Sequence, residues 1–373
     1  MTDFVIIGGG VYGCAVAWEL AQQGADICLL EANTIASGAS GGLGKRGVRA
    51  NGRDVRELPL MCEAYDIWPT LHEQLDGPTG YERVGHLLVI EREIDLEALS
   101  PQPWVQARQG IHTHWLDQAM LREREPAISA RMLAAIYCPN DGIADHTATT
   151  QSYAAAAQRL GADIREQTAV AKLQCNGDRV TAVITDKDER IPVKRGVLLA
   201  SNAHAKQFVQ TELGVTLPLS RMYPQVMKTI PVDPMPVRHL IGHAHRTLAM
   251  KVIDENQVMI SGGWRGAVNP ETGKVEPVQA QVEGNLAEAV AVYPSLAGVD
   301  VAEVSVERPE MIAYDGIPII DTLAGAANMV VAVGWSGHGW AIAPAVARHV
   351  ATWMLTGERA VILEPFQYTR FSC

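Results

Sequence analysis

The chain opens on a short run, Asp3 to Ile7, that is β-branched and aromatic with almost no polar alternation, the pattern of a strand covered on both faces in a parallel sheet. Val11 to Gln23 is Ala-rich and helix-compatible, and Gly24 stands where a helix would stop. Ala25 to Leu30 is a second apolar strand that ends at Glu31. Strand, helix and strand in this order predict one βαβ unit. From Ile35 to Gly52 the chain is rich in Ser and Gly and carries Lys45, Arg46 and Arg49, which is too irregular for a regular element and too long for a plain turn. Long loops of this kind in compact domains are often functional.

Further along, Arg53 to Leu75 reads as helical, and Gly85 to Ile90 as a strand. Thr147 to Leu160 is an Ala-rich helix, followed by strand patterns at 161–166, 170–173, 180–185 and 196–200. Leu217 to Ile230, Thr247 to Ile253 and Gln257 to Ser261 predict an antiparallel β region, and Val275 to Tyr293 a helix. Met329 to Val333 is a buried strand and Ala341 to Leu355 the last helix. The order predicts a mixed architecture, α/β plus α+β. An α/β part would come from both chain ends and a middle segment, and a β-rich part from what lies between.

Composition narrows the function classes. The 373 residues carry 31 Lys and Arg against 42 Asp and Glu, a formal charge of −11, which argues against a broad nucleic-acid surface. Cys14, Cys28, Cys62, Cys138, Cys175 and Cys373 are scattered and form no CxxC pair, so reduced thiols are expected and a zinc ribbon is not. The apolar start has no preceding positive charge and is broken by glycines, and the late apolar stretch 329–355 is broken by Ser336, His338 and Arg348. Neither reads as a signal peptide or a membrane span. A cytoplasmic protein without membrane or metal partner is expected.

Gly8-Gly9-Gly10-Val11-Tyr12-Gly13 fits G-x-G-x-x-G through Gly8, Gly10 and Gly13, between the first strand and the first helix. Gly8 permits the tight turn, Gly10 lets backbone approach a pyrophosphate, and Gly13 lets helix and strand pack closely. Phosphates would sit at the positive end of the helix dipole. Glu31 closes the second strand 21 residues after Gly10, where a carboxylate can hold a ribose hydroxyl and would repel the 2′-phosphate of NADP. These residues alone leave NAD and FAD open.

Three further segments bear on that choice. They are Ala36-Ser-Gly-Ala-Ser-Gly-Gly-Leu-Gly44, Arg308-Pro-Glu-Met-Ile-Ala-Tyr-Asp-Gly-Ile-Pro-Ile-Ile320, and Val333-Gly-Trp-Ser-Gly-His-Gly-Trp-Ala-Ile-Ala-Pro344. In this order they resemble the FAD-dependent D-amino acid oxidase superfamily, in particular its glycine oxidase and sarcosine oxidase branch. The resemblance implies a Rossmann-like FAD-binding domain (residues 1–80, 131–204 and 311–373) interleaved with a substrate domain on a mainly antiparallel sheet (81–130 and 205–310). It implies that Gly8, Gly10, Val11, Tyr12, Gly13, Glu31 and Ala32 hold the ADP half of FAD, with Val170 at the adenine and Ala200 nearby. Ser37, Ala39, Ser40, Gly42 and Leu43 would line the pyrophosphate and flavin side, and Gly334, Gly337, His338, Gly339, Trp340 and Ala341 the flavin end. Arg308 is similar to the family arginine that binds the substrate carboxylate; a surface arginine near Glu307 and Glu310 is the alternative.

Departures from the family pattern sharpen the expectation. Met311 to Tyr314 stand where relatives with covalent flavin carry a Cys, and no Cys lies between Cys175 and Cys373, so non-covalent FAD is expected. No His lies between residues 38 and 50. The strand Val258 to Trp264 lacks the Lys that sarcosine oxidases place beside the flavin for reaction with oxygen, which keeps a dehydrogenase open. The expected reaction is oxidation of the C–N bond of a glycine-like or N-substituted amino acid bearing at least one carboxylate, with no side-chain general base. Candidate substrate residues are Arg308, Arg49, Asn51, Tyr223, His243 and Trp264, with Met250 beside them. The cluster Lys45-Arg46-Gly-Val-Arg49 is either a solvated loop or, with Arg308, a second anion site. Alternatives are a D-amino acid or proline-type dehydrogenase feeding a quinone or partner subunit, and a non-catalytic FAD-stabilised subunit. An NAD-dependent dehydrogenase would leave the late Gly-Trp-Ser-Gly-His-Gly segment unexplained.

Overall fold

The computed structural model describes residues 2–42 and 44–371. Leu43, one of the expected cofactor residues, lies outside them. The first sheet runs in the order Ile319–Leu323, Ala326–Val333, Arg190–Leu199, Thr2–Ile7, Ile27–Leu30 and Asp163–Arg165. All neighbours are parallel except the Ile319–Leu323 edge, and Arg179–Thr185 and Val170–Asn176 extend it as an antiparallel flap. Thr2–Ile7 is central because it is apolar on both faces: Phe4 and Ile6 join one core, Val5 and Ile7 another. The helix Val11–Gln22 is buried almost all round, packed between His146–Arg159 and Ala343–Thr356, which is why its sequence shows no polar stripe.

The second sheet has eight strands in the order Val301–Ser305, Val226–Thr229, Gln257–Ser261, Ala249–Ile253, Leu240–His243, His86–Ile90, Ala134–Cys138 and His114–Asp117. Only Leu240–His243 and His86–Ile90 pair in parallel. Its two faces follow the strand period of 2. Leu87, Val89, Met227, Ile241, Met250 and Ile260 turn into a core shared with the helix Gln279–Val292. His86, Leu88, Leu240, Lys251 and Ser261 line a cavity between this sheet and the first. Ala134–Cys138 pairs on both sides within the second sheet, so the chain leaves that sheet later than the boundary expected at residue 130.

Three local expectations are corrected. The stretch 35–52 contains a strand, Lys45–Val48, whose antiparallel partner Gly142–Asp145 comes from far along the chain, so no local pattern announces it. Residues 53–75 break into a 3₁₀ turn, Leu58–Ile67, a second 3₁₀ turn and Leu71–Leu75, with Pro69 denying the continuous helix its N–H. The stretch 217–230 splits into Leu219–Met222, paired with Glu310–Ala313, and Val226–Thr229 in the second sheet.

Candidate functional site

One cavity of about 1020 Å³ begins at the C-terminal end of Thr2–Ile7, where the sheet order reverses, and runs beneath the second sheet. Gly8 has φ +113°, and a Cβ there would lie 2.9 Å from the Ala200 carbonyl carbon, so the turn demands glycine. A Cβ on Gly13 would meet Gly8 O at 1.9 Å, which places Gly13 behind the cavity as the helix–strand contact. A Cβ on Gly10 would meet nothing within 4 Å: it would project into open space at the start of the helix. That helix has no side-chain cap and no acidic residue in its first turn, so its leading N–H groups remain available to an anion. Glu31 accepts hydrogen bonds from Gly9 N (2.6 Å) and Asn33 N (2.8 Å) and keeps lone pairs toward the cavity it lines.

The far loop closes onto this turn. Tyr12 and Trp335 stack, and Tyr12 Oη donates to Gly339 O at 2.5 Å. Gly337, His338, Gly339 and Trp340 line the cavity, and the buried Trp340 Nε1 has no partner among the described residues. Below them Arg53 Nη2 donates to His338 O (2.8 Å), while Glu57 lies 3.3 Å from both Arg53 Nη1 and His338 Nδ1. Burial pushes the Glu57 carboxyl up, but Arg53 and His338 outweigh it, so the group sits below the usual carboxylate range. Gly334 and Ala341 lie outside the cavity lining: Gly334 N donates to Asn202 Oδ1, and Ala341 O accepts from Trp68 Nε1. Ser40 Oγ and Asn202 Nδ2 both donate to Glu310 (2.7 Å each), tying the loop 36–42 to the wall. Ser37 turns its hydroxyl to Thr34 O instead, and Gly42 O accepts from Arg46.

The remaining wall is cationic. Arg49 donates to Asn51 O at 2.7 Å and forms no ion pair among the described residues. Arg308 and Lys251 form neither a hydrogen bond nor an ion pair among them, and both line the cavity. Arg46 is fixed by the carbonyls of Gly41, Gly42 and Lys45. Burial, with Arg46 and Arg49 close by, lowers Lys251 to about 7. Burial, with Arg46 and Arg308 close by, lowers His146 to about 3, and burial holds His86 far below its usual value, so both imidazoles are neutral. Lys251 stands on the strand paired with Gln257–Ser261, where it alternates with core-facing Met250 and Val252. That alternation is the signal a sequence can carry for it; His146, at the start of a helix, offers none.

Of the expected residues the cavity also gathers Gly8, Val11, Tyr12, Ala32, Ala39, Ser40, Val170 and Ala200. Of the other substrate candidates the cavity gathers Asn51 and His243 but not Tyr223 and Trp264. Asn51 spends its side chain on Ile136 O, Gln102 and Gln106. His243 accepts from two backbone N–H groups of its own turn, with a fully buried ring that burial lowers to about 4. Tyr223 and Trp264 lie off the cavity, the indole donating to Thr247 O, and Met250 is core.

A glycine cradle, an uncapped helix start and an orphaned indole N–H along one long cavity fit a dinucleotide. The chain matches the family described as DAO, FAD dependent oxidoreductase, over residues 3–353. The chain belongs to this family. It is 27% identical to the glycine oxidase of Geobacillus kaustophilus over 99% of this chain and 97% of the relative. It is 25% identical to the 4-methylaminobutanoate oxidase (formaldehyde-forming) of Paenarthrobacter nicotinovorans, over 99% of this chain but only 45% of that protein. Among solved structures, L-proline dehydrogenase from P. horikoshii superposes with a TM-score of 0.89 at 22% identity, covering 99% of this chain and 97% of that one. The protein is an FAD-dependent oxidoreductase. No helix of the described residues is long and apolar enough to cross a membrane.

Proposed function

We propose that this chain oxidises the C–N bond of a glycine-like or N-substituted α-amino acid, with FAD held non-covalently and oxygen as the electron acceptor. The observation that carries the substrate class is Arg308, a guanidinium in the cavity wall without a partner among the described residues. Its planar fork matches a carboxylate bidentately. FAD would lie with its pyrophosphate at the start of the Val11–Gln22 helix and its ADP ribose at Glu31. Val170 would meet the adenine, and Gly337 to Trp340 the flavin end. Bound FAD supplies the acceptor for the hydride lost from the substrate carbon, and water then hydrolyses the imine.

The residues of the chain orient and polarise. Arg308 fixes the carboxylate and hence the carbon beside the amine. The cations Arg46, Arg49 and Lys251 lower the pKa of an amine bound among them, favouring the neutral form that can release a hydride. No general base is needed; His86 and His146 are buried, and Glu310 is engaged by Ser40 and Asn202. The likeness to a glycine oxidase along nearly its whole length supports oxygen as acceptor.

Anaerobic mixing of the yellow holoprotein with glycine, sarcosine and N-ethylglycine tests this. Bleaching of the flavin by at least one of them is expected, with one peroxide per turnover in air. Arg308→Leu should lower kcat/KM by at least roughly 30-fold, the range for truncating a desolvated carboxylate partner. A flavin that no amino acid or N-alkyl glycine reduces overturns the reading.

A further inference from the structure

Resting on the amino-acid reading above, we infer that the cavity holds a second carboxylate subsite, formed by Arg49 and Lys251, and that the substrate class is a secondary amine carrying a carboxylate on each of its two N-substituents. Lys251 projects from the middle of Ala249–Ile253 on the cavity face and is 6% exposed, with no carboxylate within ion-pair distance among the described residues. Arg49 faces the same space with a single backbone acceptor.

Arg46 separates this pair from Arg308. Its Nη1 reaches Met259 Sδ at 4.0 Å, and Met259 is the cross-strand partner of Lys251. Its Nη2 binds the carbonyls of Gly41 and Gly42, and a Cβ on Gly42 would lie 3.8 Å from Arg308 Nη1. One guanidinium therefore spans from the Arg308 end to the Lys251 end, leaving an anion-seeking group on either side.

Among the described residues no carboxylate lies within ion-pair distance of Arg308, Arg49 or Lys251, although Glu31, Glu307 and Glu310 line the same cavity. Glu310 is taken by Ser40 and Asn202, and Asp141 by the N–H groups of Ala50 and Asn51 and the hydroxyl of Tyr65. Unpaired cations withdrawn from water cost several kcal/mol each unless an anion meets them. A single substrate carboxylate on Arg308 leaves Arg49 and Lys251 uncompensated; a second carboxylate across the amine answers both. Burial beside two arginines already holds the Lys251 ammonium low, so an anion there would also draw a proton onto it. The reaction balances as before. The N–CH₂ carbon loses a hydride to FAD, its C=N bond takes up one water, and the C–N bond breaks to give an oxo acid and an amino acid.

The test uses holoenzyme and two sulfur isosteres that the amine chemistry cannot consume, thiodiacetate with two carboxylates and methylthioacetate with one. Each is titrated against the oxidised flavin spectrum. Thiodiacetate is expected to bind at least tenfold more tightly, and in both Lys251→Met and Lys251→Gln that ratio should fall toward one. Equal affinities in the unmodified protein, or a ratio unmoved by both substitutions, overturn the subsite. Iminodiacetate and sarcosine are then compared for anaerobic bleaching. If thiodiacetate is preferred but neither amine bleaches the flavin, the subsite stands and the amine-oxidation reading fails. Bleaching by sarcosine with no dicarboxylate preference upholds amine oxidation and overturns the subsite.

Discussion

Tyr12 and Trp335 lie 3.5 Å apart between ring centroids with their planes 5° from parallel, so the first glycine-rich turn is clamped to the last. The hydrogen bond from Tyr12 to Gly339 O closes the same junction. Tyr12→Phe keeps the stack but leaves a buried carbonyl unpaired, at a cost of about 1–3 kcal/mol. Trp335→Ala removes the stack and should cost about 3–5 kcal/mol. Ultrafiltration after dilution should show flavin retention falling in that order, and retention unchanged in Trp335→Ala would show that the clamp does not serve the cofactor.

Gly10 and Gly13 should separate fold from binding. Gly13→Ala forces a Cβ to 1.9 Å from Gly8 O and is expected to destabilise the apoprotein by about 3 kcal/mol or more. Gly10→Ala meets no protein atom, and its φ of −77° suits any residue, so the apoprotein should lose about 1 kcal/mol or less. The same methyl group occupies the space where phosphates would approach, so FAD affinity should fall roughly tenfold or more. Thermal unfolding of the apoproteins and FAD titration check the pair; parallel losses would contradict it.

Lys251 sets a pH dependence with a definite sign. Its folded pKa, about 7, lies below the unfolded value near 10.4, so the unfolded chain binds more protons between those limits and stability rises with pH across that window. Below pH 7 the folded state carries the full cost of the buried ammonium. Lys251→Met should therefore raise the ligand-free protein's stability at pH 6 by on the order of 1–3 kcal/mol and flatten the rise above pH 7. Denaturant melts at pH 6, 8 and 10 measure it. A protein that keeps such a residue gives up stability for function.

Glu57 behaves oppositely. Its folded pKa is depressed, so its contribution is present above the unfolded value near 4.3 and is lost as pH falls through the folded value. Glu57→Gln leaves Arg53 without its buried partner and should cost about 3–5 kcal/mol at neutral pH. The acid limb of its stability curve should be shallower than that of the unmodified protein; identical limbs would assign the acid sensitivity elsewhere.

Legibility in the sequence follows the range of the interactions. Gly8, Gly10, Gly13 and Glu31 act within one βαβ unit, so their spacing announces them. Lys45–Val48 reads as loop because its partner strand lies near residue 143, and no window of local pattern contains both. His243 and Asn51 read as substrate residues because polar groups beside the site look available in a sequence. Both border the cavity, but the Asn51 amide and His243 Nδ1 are already engaged by backbone and amide partners. Lys251 is legible in principle, as a charge on the open face of an alternating strand, but only once that face is known to border a cavity.

The bond between Tyr12 and Gly339 joins residues 327 positions apart. On a ribosome, the turn that begins the cradle emerges long before the loop that closes it, and the strands Arg190–Leu199 and Ala326–Val333 of the same sheet also arrive after it. Cofactor capture therefore waits until synthesis has passed Gly339. Until then the apolar wall of the nucleotide cleft has to be shielded by transient collapse or by chaperones, and scarcity of flavin at that moment would be felt as misfolding as well as lost activity.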